Sequence, residues 1–241
     1  MGVKRQGQAV LDVTLIISKL KDLNMSPTVN RKTQATIEII LVAILFLASR
    51  TILGGIKYAS QIAEVISLIT ITFLLIRRGS NWKSLGFQMP TKWLLAFGYF
   101  ILCVISIALI FNFVIQPLFP HGANEINHGE VISFNEMLFQ LLFIGILAAA
   151  IGEEMLFRGF LFNNLNEIFG HGKLGVGLAI LMQAFLFAIL HSGVQGMVSA
   201  GVIGVILGVF YIISGRNLIV VMAAHAVPDV LSIISTYQSH N

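Results

Sequence analysis

Seven apolar runs follow one another along this chain, at about 36–53, 59–76, 93–115, 137–163, 176–191, 197–214 and 218–235. Most approach the ~20 residues that carry an α-helix across the ~30 Å hydrocarbon core of a bilayer. A transmembrane β-barrel would alternate apolar and polar positions, and these runs are continuous. The expected fold class is therefore all-α, a polytopic integral membrane protein of about seven transmembrane helices, with six to eight as the range. Composition excludes a soluble domain: 56% of residues are hydrophobic and 11% charged, against roughly 25% charged in soluble domains. Frequent glycine (22 residues) and scarce proline (5) suit helices that pack closely in lipid.

Two domains of unequal kind are expected. Residues 1–34 place Val10, Val13, Ile16, Ile17 and Leu20 at helical spacing among Lys4, Arg5, Lys19 and Lys21, which reads as a cytoplasmic or membrane-surface amphipathic segment, with a solvated tail as the alternative. Residues 35–241 form a single transmembrane helical domain. The basic residues orient it: six Lys or Arg lie in the first 34 residues and four in RRGSNWKSLGFQMPTK (77–92), against two in 50–58 and none in 116–136. Positive charge stays on the cytoplasmic side, so the N-terminus is expected there, with Lys173 and Arg216 also inside. Trp82 and Trp93 read as interfacial anchors. The single cysteine, Cys103, excludes a disulfide within the chain. No nucleic-acid partner is expected; the bilayer is.

The stretch GEEMLFRG (152–159) puts three charged groups into an apolar span. An ionisable residue near mid-bilayer costs at least about 2.5 kcal/mol on insertion scales, so each asks for a function. Residues four apart share a helix face, which pairs Glu154 with Arg158 and turns Glu153 elsewhere. The pair lowers the cost of both charges, while Glu153, without the arginine, is the carboxylate suited to take a proton from water. An ion pair that only joins helices would account for Glu154 and Arg158, but not for Glu153.

The same spacing recurs in FAILH, with Phe187 and His191, and in HAVPD, with His225 and Asp229. Asp229 is placed to accept a proton from one ring nitrogen of His225 and so orient it. Pro228 is expected to kink that span. A lone histidine in a membrane is usually a hydrogen bonder between helices; two histidines, three carboxylates and an arginine on three spans are harder to explain so. His121, His128, His171 and His240 read as solvated, and Glu38 and Glu64 as structural. Gly196, Ala200, Gly204 and Gly208 recur every four residues as a packing stripe.

Taken together, Glu153-Glu154-x-x-x-Arg158, Phe187-x-x-x-His191 and His225-x-x-x-Asp229, in that order over about 137–235, resemble the CPBP family of intramembrane proteases. This is the family of the CAAX prenyl endopeptidases and of bacteriocin-processing or self-immunity proteins, also called Abi. The resemblance implies an intramembrane endopeptidase in which Glu153 activates water with help from His191, and Glu154 and Arg158 position the site. It further implies that His225 and residue 229 stabilise the oxyanion. Family members commonly carry Asn at that last position, and Asp229 can donate a hydrogen bond only when protonated. Three roles stay open for it: orienting His225, remaining protonated, or ligating a metal.

The resemblance leaves the cofactor open. His191, His225 and a carboxylate, Glu153 or Asp229, are the candidate ligands for zinc with an open fourth position. No HExxH motif is present, and metal-free catalysis is preferred. The expected partner is a peptide or membrane-protein substrate, in a multi-pass protein of the cell membrane; peptide maturation or immunity would fit a bacterial source. The alternatives are a non-catalytic peptide-binding immunity protein and a proton-coupled transporter, the latter disfavoured by the lack of an inverted repeat. One geometric demand remains. Glu153 and His191 must meet, so the fourth helix is expected to continue past Arg158 through GFLFNNL, and HSGVQG to dip back into the protein.

Overall fold

The computed structural model describes residues 30–119 and 133–240. Most of the N-terminal segment, His121 and His128 lie outside them. Seven longer helices and one short 3-10 turn (Trp82–Leu85) carry the described chain, and no strand occurs among these residues: α1 (Arg31–Ile52), α2 (Ala59–Arg77), α3 (Trp93–Leu118), α4 (Phe134–Phe169), α5 (Lys173–Ala188), α6 (Gly193–Ile213) and α7 (Leu218–His240). All but α5 are long and apolar enough to cross a membrane. The chain is thus an all-helical, multi-pass membrane protein whose seven apolar runs became six long helices and one short one.

Side-chain caps start α1 and α4. Asn30 caps α1 by accepting from the Lys32 amide, and Ser133 caps α4 by accepting from the Glu136 amide, satisfying donors with no intrahelical partner. Gly170, at φ 94°, ends α4 in a conformation that L side chains rarely adopt. At the end of the molecule where α2, α4 and α6 finish, the segment after α2 is tied to the turn before α7. Tyr211 Oη donates to the Leu85 carbonyl at 2.7 Å, Asn217 Nδ2 to the Gln88 carbonyl at 3.0 Å, and the Leu218 amide to the Gly86 carbonyl at 2.9 Å. Trp82 belongs to this clamp: its Nε1 donates to Thr72 Oγ1 at 3.0 Å and its ring packs on the core. Trp93 is 61% exposed.

Two features of length set the depth of the polar residues. Helix α4 runs unbroken for 36 residues through GFLFNNL, with much of it (Gln140–Glu153 and Met155–Leu161) wound in wider π geometry. Glu153 therefore falls near the middle of the helix. Helix α5 has 16 residues, about 24 Å at 1.5 Å per residue, less than a full crossing. A turn of three residues joins the two antiparallel helices, so Phe187, near the end of α5, comes back to the level of Arg158. Its ring lies edge-on to Phe157 at 4.9 Å. HSGVQG makes no re-entrant dip. It is the tight turn into α6, with Gly193 at φ 72°.

The glycine stripe of α6 packs as scaffold against α5. A Cβ at Gly204 would lie 3.0 Å from that of Ala184, and one at Gly208 would lie 3.0 Å from Gln183 Nε2, so the absence of side chains lets the backbones approach. Pro228 lies within α7, which continues through it.

Candidate active site

Helices α2, α4, α5 and α7 converge around the middle of α4. Glu154 and Arg158 form the pair that their spacing predicts: Arg158 Nη1 donates to Glu154 Oε1 at 2.6 Å, and both side chains are wholly buried. Arg158 Nη2 also donates to the Gly204 carbonyl at 3.2 Å, and the guanidinium lies 5.1 Å from the centre of the Phe187 ring. A buried arginine in this setting has its charge answered from three sides.

The same Oε1 of Glu154 accepts from His225 Nδ1 at 2.8 Å. A carboxylate accepts only, so Nδ1 carries the proton and the ring is oriented by Glu154. The sequence did not foresee this partner for Nδ1. Asp229 lies on the other edge of the ring, with Oδ2 3.6 Å from Nε2. Glu153 is there too, its Oε2 3.9 Å from Nε2. Nε2 of His225 thus faces two carboxyl groups, each about one-quarter exposed, while Nδ1 faces the buried pair. The division into a paired and a free glutamate is present in space.

His191 occupies the turn after α5. Its Nδ1 donates to the Phe187 carbonyl at 2.9 Å, which leaves Nε2 as the acceptor. The Phe187 ring lies edge-on between the two imidazoles, 4.6 Å from His191 and 6.2 Å from His225. His191 is within electrostatic reach of His225 and Asp229. No hydrogen bond or ion pair joins it to Glu153 among the described residues. The short α5 has brought it to the edge of the site.

His225 Nδ1 and His191 Nδ1 are each committed to an oxygen, which leaves Nε2 of each ring facing away from those partners. Among the described residues no three His, Cys, Asp or Glu side chains are grouped to hold a metal ion.

Glu64, read from the sequence as structural, lies buried on α2 against the start of GEEMLFRG. A Cβ added to Gly152 would collide with its carboxylate, and Glu153 and His225 are within electrostatic reach. Its only sequence signal was a carboxylate inside an apolar span. Glu38, read the same way, is structural: it pairs with Arg78 across α1 and α2 and accepts from Gln34 Nε2 at 3.0 Å.

Residues 135–231 match the family model described as type II CAAX prenyl endopeptidase Rce1-like. All six motif residues, Glu153, Glu154, Arg158, His191, His225 and Asp229, fall inside that segment, so the family resemblance carried by the motifs is met by a match over the stretch that holds them. No curated protein and no solved structure matches the chain.

Proposed function

From the premise that residues 135–231 form an Rce1-like domain, which supports an intramembrane endopeptidase of the CAAX type in general, we propose that this protein hydrolyses a peptide bond with Glu153 as the base. The observation that carries the reading is the split at His225. One ring nitrogen is bound to the buried Glu154–Arg158 pair, and the other looks onto the partly exposed Glu153 and Asp229.

The chemistry follows from that split. A water held by Glu153 gives it a proton as the water oxygen attacks the peptide carbonyl carbon. His191, with its Nε2 free to accept, assists in holding the water. The carbonyl oxygen gains charge at the Nε2 edge of His225, where the imidazolium form, its Nδ1–H held by Glu154, would stabilise it through Nε2–H. As the C–N bond breaks, the proton taken by Glu153 passes to the departing amine, so water is divided between the new acid and the new amine. Glu154 and Arg158 position His225 throughout. Asp229 supports the Nε2 side of the ring.

The substrate is a peptide or a membrane-associated protein that reaches the site within the bilayer. Arg78, Lys83, Lys173 and Arg216 lie toward one end of the fold. This supports an orientation with that end, and the N-terminus, in the cytoplasm. A cell-membrane location follows from the same reading.

The test compares cells carrying wild-type protein with cells carrying Glu153→Ala, by mass spectrometry of membrane-associated peptides. A processed fragment present with the wild type and absent with the variant, at equal expression, is expected. An unchanged peptide profile together with an unchanged phenotype in Glu153→Gln would favour a protein that binds its peptide without cutting it.

A further inference from the structure

Glu64 is a buried carboxylate with no evident structural reward. Only 7% of the residue is exposed, and its Oε1 has no hydrogen-bond partner among the described residues. Leaving a buried polar group unpaired costs desolvation with nothing returned, and a leucine would fill the same space without that cost. The neighbour is as telling as the residue. Gly152 lies in a wholly helical stretch, where glycine is unfavourable, and the space its side chain would need is taken by the Glu64 carboxylate. The glycine that opens GEEMLFRG makes room for a side chain from a helix 88 positions earlier, beside the next residue, Glu153.

We propose that Glu64 is a positioning residue for Glu153. Its carboxyl fills the gap left by Gly152 and fixes the direction of Glu153 through a shared water, by shape and hydrogen bonding rather than by charge. This inference rests on the proposed role of Glu153 and adds to the site a helix outside the Rce1-like segment. An amide of the same shape serves in its place, whereas an apolar side chain of similar size does not. A methyl group at residue 152 displaces the carboxyl from the other side.

The experiment uses the full-length protein in detergent micelles, with variants Glu64→Gln, Glu64→Leu and Gly152→Ala. A prenylated CAAX peptide is the probe for kcat and KM. Labelling of Glu153 by a hydrophobic carbodiimide, read by peptide mass spectrometry, is the second measurement and needs no turnover. Glu64→Leu and Gly152→Ala are expected to lower kcat by about ten- to a hundredfold, the scale of a misplaced catalytic group, with KM and melting temperature little changed. Glu64→Gln is expected to stay within about threefold of wild type, the scale of one neutral hydrogen bond. The labelling rate of Glu153 should change in Glu64→Leu and Gly152→Ala and hold in Glu64→Gln. Equal labelling of Glu153 in all four proteins overturns the inference, as does a Glu64→Gln that matches Glu64→Leu. If the wild type cleaves no peptide while the labelling pattern appears, the proposed function fails and the positioning of Glu153 by Glu64 stands. Should Glu64→Leu fail to fold, Gly152→Ala decides with the same two readings.

Discussion

Among the described residues two carboxylate–guanidinium pairs occur, and only one of them holds a third ionisable side chain. Glu38 and Arg78 join α1 to the end of α2, with Gln34 as a further partner and the Arg78 side chain 30% exposed. Glu154 and Arg158 lie on one helix at mid-depth, with neither side chain exposed. The first pair has water at hand and stops at joining two helices. The second is closed to water and passes its order on: its carboxylate holds His225, its guanidinium is seated on Gly204 and Phe187, and the neighbouring Glu153 is left over. A buried pair becomes part of a site when a third group depends on its geometry.

The comparison breaks most sharply at Arg158. Arg158→Met should remove detectable cleavage and cost about 3–5 kcal/mol, because Glu154 keeps its charge and loses the cation that answers it. Chemical denaturation in detergent, run beside the peptide assay, measures both. Gly204→Val strikes the same pair from outside. Its added methyl groups meet Ala184, where a Cβ already lies at 3.0 Å, and push α6 away from Arg158. A loss of about 1–3 kcal/mol is expected, with a partial loss of activity that follows the loss of the folded form. Glu38→Gln is the smallest change. Solvent reaches Arg78, so the screened pair should be worth about 1 kcal/mol or less, and cleavage per folded molecule should match the wild type. Equal losses of activity in Glu38→Gln and Arg158→Met would erase the distinction between the two pairs.

What could be read from the sequence was what lies within one helical turn. The spacing of Glu154 and Arg158 gave their pairing, and the runs of apolar residues gave an all-helical membrane protein. Only one side of His225 could be read that way. Asp229, four residues on, faces Nε2, but Glu154, 71 positions earlier, holds the ring at Nδ1. Spacing orders the neighbours on one helix and says nothing of which helices meet. Glu38 and Glu64 show the same limit in a sharper form. Both are carboxylates inside apolar spans, yet one meets an arginine at the end of its neighbour helix and the other meets a glycine beside Glu153. Only the packing of α2 against α4 separates them. The depth of His191 depended on the position of α5: the apolar run at 176–191 has the same 16 residues but lies three positions later, which carried His191 into the helix rather than into the turn that follows it.

The shortness of α5 bears on the lipid as well as on the protein. A 16-residue helix spans about 24 Å, some 6 Å less than the hydrocarbon core. Mismatch of this kind is relieved by local thinning of the bilayer. Thinning beside the turn that follows α5, where His191 lies, would shorten the path for the water that hydrolysis consumes. Reconstitution in lipids of stepped chain length measures this: cleavage should slow as the acyl chains lengthen.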